Sequence, residues 1–428
     1  MSFILNLLII IADQFMLFFI NVLVARHTGE VLFGNFLVAI KGLLFIAAFL
    51  TLGLDSIISY YIPKLFHKGK HEEIVALLKS ISKFAKPYYL AVLMAGLLLA
   101  IFILVSSAIF KAFYVFEIFH PVMLFLWGTV CIAIYNILIQ LFRAVDYMRT
   151  SVILSFMQTV LYLIFSLICY RYYPLFFAKN VSYFPHFMIL GYLLSYILII
   201  LIGCCLFFRT HFATRELSSS FGHEWKTKIY GYTIQNLNSY IFSAIPLIAI
   251  ECFYHDEHSV GLFAAVVSIV SLAHISIYPL GVLMGPEISA SLIQDGKQVK
   301  KILFKYLKIC LSISIIATAV FGLCAKQILL FYKSNFIDAL PYLYISLLSI
   351  ITYAISMPLA KMIQYSKYGD ILGSKLTLFF LIFQSISSVI LVILFGIHGA
   401  VTTYVGTNII YVMSMIFITR QIYRKLFS

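Results

Sequence analysis

PYYLAVLMAGLLLAIFILVSSA, residues 87–108, is a run of 22 residues without a charge. At 1.5 Å rise per residue such a run makes a helix of about 33 Å, which matches a hydrocarbon core about 30 Å thick. Eleven further blocks of this kind flank it, at 3–25, 35–62, 120–142, 151–171, 186–208, 229–253, 261–285, 305–325, 340–362, 376–395 and 399–419. Hydrocarbon offers no partner to a backbone N–H or C=O, so each block must satisfy its own polar groups as a helix. The expectation is an all-α integral, multi-pass membrane protein with about twelve transmembrane helices and no sizeable soluble domain. Composition agrees: 63% of residues are hydrophobic and 11% charged, against about 45–50% and 25% in soluble domains. The first block has no basic flank, carries Asp13 and Gln14 and lacks a small-residue cleavage pattern, so it reads as a retained helix rather than a leader.

The formal net charge of +14 raises the question of nucleic acid, but the placement of the charge answers it. If the N-terminus is cytoplasmic, 23 of the 30 lysines and arginines fall on inner loops and helix ends, among them Lys64, Lys68, Lys70, Lys228, Lys300 and Arg424. That asymmetry orients both termini to the cytoplasm and makes a nucleic-acid partner unnecessary. The seven cysteines lie in or beside apolar spans with no paired spacing, and read as small buried hydrophobes. His255-Asp256-Glu257-His258 has metal-ligand residue types but falls in a short outer turn without a further ligand, so no metal site is assigned. No Walker, G-x-S-x-G or zincin pattern is present.

Arg209 to Lys228 is the most polar interior stretch and divides the chain into an N-terminal six-helix lobe, 1–208, a cytoplasmic linker, 209–228, and a C-terminal six-helix lobe, 229–428. Sliding the sequence by 227 residues places Gly34-Asn35-Phe36 on Gly261-Leu262-Phe263, and Leu65 to Lys70 on Leu292 to Lys297. Six helices per copy give a parallel pseudo-two-fold repeat, whose interface is where transporters hold substrate. So short a match also arises by chance. Pro246, Pro279 and Pro358 lie inside spans and each removes an intrahelical bond. Such prolines serve as hinges or are simply tolerated.

The segment Val22-Leu23-Val24-Ala25-Arg26 through Gly34-Asn35-Phe36, then Leu52-Gly53-Leu54-Asp55-Ser56 through Tyr60-Tyr61-Ile62-Pro63, resembles the polysaccharide flippase family. The Gly69-Lys70 loop and the Gly396-Ile397-His398-Gly399-Ala400 turn are similar too. That family belongs to the multidrug/oligosaccharidyl-lipid/polysaccharide exporter (MOP) superfamily, with two six-helix lobes around a central cavity. The two extra helices usual in lipid II flippases are not found in this sequence. The resemblance implies that a polyprenyl-diphosphate-linked oligosaccharide is moved across a bacterial cytoplasmic (inner) membrane by alternating access, with no bond made or broken and so no enzyme activity. It implies no cofactor beyond a coupling proton or sodium ion. Implied partners are the lipid-linked oligosaccharide, membrane lipids and polysaccharide assembly proteins. A multidrug exporter of the same superfamily is the alternative. A membrane polymerase or ligase would need a larger outer loop than the dozen or so residues found here.

Ionisable groups at membrane depth cost about 2.5–3.5 kcal/mol at a helix centre, so they mark cavities or partners. Lys41 stands about 10 Å inside the outer end of the second span. Either it snorkels to the headgroups or it faces the cavity and meets a diphosphate. Lipid II flippases carry a basic residue in a similar context, which favours the second reading. In the first span Asn6, Asp13, Gln14 and Asn21 share one face, as interhelical hydrogen-bonding groups or as a proton or sodium site. Asp55 lies near the inner end of the second span, either anchoring to a loop cation or serving transport. Gln235, Asn236, Ser239 and Ser243 repeat the polar face in the seventh span, with amide and hydroxyl groups suited to sugars or to helix packing. The substrate-binding candidates are Lys41, Asn21, Arg26, Gln235, Asn236 and Ser239, and the ion-coupling candidates are Asp13 and Asp55.

Overall fold

The computed structural model describes residues 2–109, 120–177, 181–211, 223–254, 256–277, 280–281, 284, 287–288, 296–366 and 369–427, and every described element is helical. Residues 212–222 of the expected linker, Pro279 and His255 lie outside the described residues.

Among the described residues each of the twelve apolar blocks is mainly helical, with turns at 51–53, 125–127 and 275–277. The first block and the outer part of the second form α1, Ser2–Leu50, whose helical path is interrupted at Gly29, where φ is +81°. Helices α2 (Leu54–His67), α3 (His71–Ile109), α4 (Pro121–Leu124), α5 (Gly128–Ala144), α6 (Met148–Phe177) and α7 (Phe184–His211) complete the N-terminal half. A short 3-10 helix, His223–Lys228, leads into α8 (Ile229–Ala249), which ends in a π-turn, Ile250–Tyr254. Then come α9 (Glu257–His274), α10 (Gly296–Leu323), α11 (Ala325–Tyr332), a 3-10 turn (Ser334–Ala339), α12 (Leu340–Ser346), α13 (Leu348–Tyr365), α14 (Gly369–Phe395) and α15 (Ile397–Phe427). Among the described residues, eight helices are long and apolar enough to cross a membrane, or up to ten if each bent pair counts as one span. The difference from twelve has physical sources. Leu8–Leu50 passes as one helix although it carries most of the first block and the outer part of the second, and α5 is short at 17 residues.

The sequence reads 35–62 as one span, but the structure breaks it. Leu52 and Gly53 take positive φ, 52° and 64°. Thr51 Oγ1 donates to Ala48 O at 2.7 Å and closes the first half-helix, while Ile57 N bonds to Gly53 O at 3.0 Å and opens the second. Only glycine fits at 53: a Cβ there would stand 2.6 Å from the backbone nitrogen of Thr233. Pro246 lies in α8 just before the π-turn, a common response to a lost i→i−4 bond, and Pro358 lies within α13.

The chain forms two compact units, Met1–Leu17 with Asn35–Leu237, and Phe18–Gly34 with Asn238–Ser428. In the first, α5 is buried along most of its length, which is why so short a helix suffices. In the second, α9 is buried without interruption from Ser259 to Val270, and Phe380, Tyr411, Met362 and Met284 form a core beside it. Outward surfaces are apolar rather than charged: Phe379, Ile382, Ile386, Ile390 and Ile393 line one exposed stripe of α14 at three- and four-residue spacing. A face of that kind is covered by lipid tails, which solvate it as well as leucine would.

Close helix approach in the second unit depends on two glycines that the 227-residue offset equates. A Cβ on Gly34 would stand 2.9 Å from the nitrogen of Gly261, and a Cβ on Gly261 would stand 2.1 Å from the carbonyl oxygen of Glu30. Small residues at such contacts allow backbones to meet where no hydrophobic effect drives them together.

Candidate functional site

The helix break at Thr51 to Gly53 positions a polar cluster in the first unit. Asn236 Nδ2 donates to Asp55 Oδ1 at 2.6 Å and to Thr51 Oγ1 at 3.1 Å, and Asn236 Oδ1 accepts from Ser56 Oγ at 3.2 Å. Asp55 lies in the first turn of α2, where the positive end of the helix dipole favours a carboxylate. Ser59 Oγ donates to Asp55 O at 2.9 Å, Gln140 Nε2 donates to Ser59 Oγ, and Arg143 Nη1 donates to Gln140 Oε1 at 3.4 Å. The sequence offered a loop cation as the partner of Asp55. The structure instead gives it an amide 181 residues away.

Asp13 organises a second cluster in the same unit. Gln14 Nε2 donates to Asp13 Oδ2 at 3.0 Å, whereas the buried Oδ1 has no hydrogen-bond partner among the described residues. Thr159 lies beside this carboxylate, and its neighbour Gln158 donates to Ser195 Oγ at 2.8 Å. A set of tyrosines on α5, α6 and α7 continues the patch: Tyr135 and Tyr196 meet edge to face with centroids 4.7 Å apart, and Tyr192 and Tyr196 share a hydroxyl contact of 2.8 Å. Tyr162 meets Tyr192 at a tilt of 59° with centroids 5.0 Å apart, and its buried hydroxyl has no hydrogen-bond partner among the described residues. Sequence reasoning did not single out Gln158, Thr159, Ser195 or these tyrosines. The available signal was a neutral polar residue in mid-span, Gln158 in α6 and Ser195 in α7.

Lys41 is half-buried in α1 and makes no hydrogen bond or ion pair with any described residue. An ammonium with three donors and no described partner at this depth suits water, a headgroup or a ligand. Gln235 is half-buried beside Asn236, and the side chain of Ser239 lies outside the described residues.

Two remaining candidates belong to the second unit and are occupied there. Asn21 Nδ2 donates to Ser268 Oγ at 2.8 Å, and Tyr332 OH donates to the same oxygen at 3.0 Å. Arg26 is exposed and its Nε donates to the carbonyl oxygen of Phe331 at 2.7 Å. Nearby, Glu30 accepts from Asn335 Nδ2 at 3.4 Å and lies 3.6 Å from His258 Nδ1. Asp256 caps α9 by accepting from the backbone N–H of His258 at 3.2 Å. Among the described residues no group of three His, Cys, Asp or Glu side chains is arranged to hold a metal ion, and all seven cysteines are free.

The broken span and the long apolar helices with lipid-facing stripes belong to a fold that solved transporters share. The chain has the fold of MOP superfamily transporters. A transporter of that superfamily from Pyrococcus furiosus, reported with a binding pocket of reversed polarity suggesting a different function, is similar at a TM-score of 0.71, with 15% identity over 99% of this chain and 96% of that one. Inward-facing and outward-facing conformations of a multidrug resistance MATE family transporter each give 0.66. Their identities are 15% and 16%, over 97% and 99% of this chain and 95% and 94% of those. No protein-family model and no curated protein matches the sequence.

Proposed function

We propose that this chain is a multi-pass membrane transporter that works by alternating access and is driven by a proton or sodium gradient, with small organic molecules of the multidrug class as cargo. The observation that carries the reading is the likeness, over nearly the whole chain, to a multidrug resistance MATE transporter in both inward- and outward-facing conformations. The Asp13 cluster supports it. A carboxylate with one unpaired oxygen beside Thr159, Gln158 and several tyrosine rings suits an exchangeable cation and the flat faces of organic cations.

A second reading keeps the same machinery and replaces the cargo with a polyprenyl-diphosphate-linked oligosaccharide in a bacterial inner membrane. Lys41 favours it, because an ammonium at membrane depth with no partner among the described residues attracts a diphosphate and repels an organic cation. The test is efflux of ethidium from proteoliposomes under an imposed proton or sodium gradient. Gradient-driven efflux that Asp13→Asn abolishes, with the variant still inserted, supports the first reading. Absence of dye movement together with translocation of a lipid-linked oligosaccharide supports the second, and movement of neither overturns both.

A further inference from the structure

The inner end of α2 carries Tyr60-Tyr61-Ile62-Pro63-Lys64, and the 3-10 helix before α8 carries Trp225-Lys226-Thr227-Lys228. These two segments meet in the first unit, below the contact that Gly53 makes with the backbone of Tyr232 and Thr233. Trp225 is fully buried and meets Phe84 of α3 edge to face with centroids 5.6 Å apart, which pins the short helix in place. Lys228 is thereby held with its ammonium 4.1 Å from the ring centroid of Tyr60. The ammonium of Lys64 lies 3.5 Å from the same centroid. Tyr61 stands perpendicular to Tyr60, at 5.0 Å, with Lys228 5.9 Å from its ring.

Two like charges are thus gathered on one aromatic ring, and neither has a carboxylate partner among the described residues. Two other lysines do have such a partner: Lys70 is paired with Glu73 at 2.6 Å and Lys305 with Glu287 at 3.7 Å. A tyrosine face attracts an ammonium, but it supplies no net negative charge to offset the repulsion between two. Each ammonium also retains donors that the ring does not satisfy. The missing partner is an anion with several acceptor oxygens, small enough to touch both lysines at once. Tyr60 is 39% exposed, so the anion can be carried on a larger body that lies along the ring. This end of the chain is the lysine-rich one that the charge asymmetry assigns to the cytoplasmic headgroup layer.

We propose that Tyr60, Lys64 and Lys228 form a binding site for the phosphate group of a membrane lipid at the cytoplasmic face. The site stands on its own geometry and holds for either cargo. Its lipid is either a bulk anionic phospholipid or the diphosphate carrier of an oligosaccharide, and the two share the chemistry that the lysines read. The ring keeps both ammonium groups in place before the lipid arrives, which distinguishes this pair from free surface lysines that sweep a wide volume.

The full chain, purified in micelles of phosphatidylcholine, is mixed with phosphatidylglycerol, with a sugar-free polyprenyl diphosphate or with inorganic pyrophosphate, and the bound species are counted by native mass spectrometry. The wild type should retain phosphatidylglycerol, polyprenyl diphosphate or both in preference to phosphatidylcholine. Lys64→Gln/Lys228→Gln should lower that retention by about five-fold or more, while Lys64→Arg/Lys228→Arg, which keeps charge and fold, should retain it. The control pair Lys300→Gln/Lys301→Gln, exposed on α10, should change it by less than about two-fold. Equal losses in the target and control pairs overturn the site, as does a wild type with no preference for either anionic lipid. Binding of inorganic pyrophosphate with neither lipid retained overturns the lipid assignment.

Discussion

Gly261→Ala tests whether the second unit depends on backbone contact rather than on side-chain packing. The added methyl would lie 2.1 Å from the carbonyl oxygen of Glu30 and 2.5 Å from its carbonyl carbon, so the obstacle is main chain and cannot rotate away. Ordinary contact begins near 3.4 Å, and the two segments must therefore separate by about 1.3 Å. Overpacking of a well-filled interior costs about 1–3 kcal/mol. The separation also strains the contacts that the same segment makes from Glu30 to Asn335 and from Asn21 to Ser268. Against this, alanine is favoured over glycine inside a helix by up to about 1 kcal/mol. The net expectation is a loss of about 1–2 kcal/mol. Gly406→Ala in α15 is the matched control, because a Cβ there meets nothing within 4 Å, and it should be neutral or mildly stabilising. Unfolding in mixed micelles of increasing dodecyl sulfate content, followed by circular dichroism, measures both. A Gly261→Ala protein as stable as Gly406→Ala would refute the argument that these backbones are in contact.

How much of this was legible in the sequence differs from residue to residue for physical reasons. The bilayer imposes a length, so a block such as 87–108 announces its helix by composition alone, and the turn at Gly396, with φ of +57° between α14 and α15, falls where the glycine-containing motif placed it. The break at Leu52 and Gly53 was not foreseen. Leu-Gly-Leu inside an apolar run has the composition of a continuous span, and the need for glycine comes from the backbone of Thr233, 180 residues further on. Asp55 and Asn236 were each visible as polar residues in apolar spans, but no periodicity links positions in different helices, so their pairing is a property of the fold alone. Gln158, Thr159 and Ser195 escaped notice because membrane cost singles out ionisable groups first, and a neutral amide or hydroxyl in a span is cheap to satisfy. Lys41 shows the opposite case, since its lack of any described partner preserves the tension that its charge at that depth created.

Three further outcomes follow from the same geometry. In a cysteine-free background, Asn335→Cys should label from the outer side and Lys68→Cys only from the cytoplasm; the reverse pattern would overturn the charge-based orientation. Asn236→Ala removes the 2.6 Å donor from Asp55 and should destabilise the protein by about 1.5–3 kcal/mol, with most of that cost absent when Asp55→Ala is already in place. Additivity in that double-mutant cycle, measured by the same micelle titration, would show that the pair is not coupled. For Lys41 the two readings of its depth make opposite statements about charge. If the ammonium meets an anionic cargo, Lys41→Arg should keep most of the transport, Lys41→Ala should lose about ten-fold and Lys41→Glu more, at equal amounts of inserted protein, because the attraction follows the sign of the charge. If instead it reaches to the headgroups along its own methylenes, Lys41→Ala should be harmless, since the helix remains long enough to span without an anchor. A cationic cargo reverses the first order altogether: Lys41→Ala and Lys41→Glu would then transport better than the wild type, so one series, assayed with ethidium and with a lipid-linked oligosaccharide, reads the sign of the cargo directly from the sign of the residue.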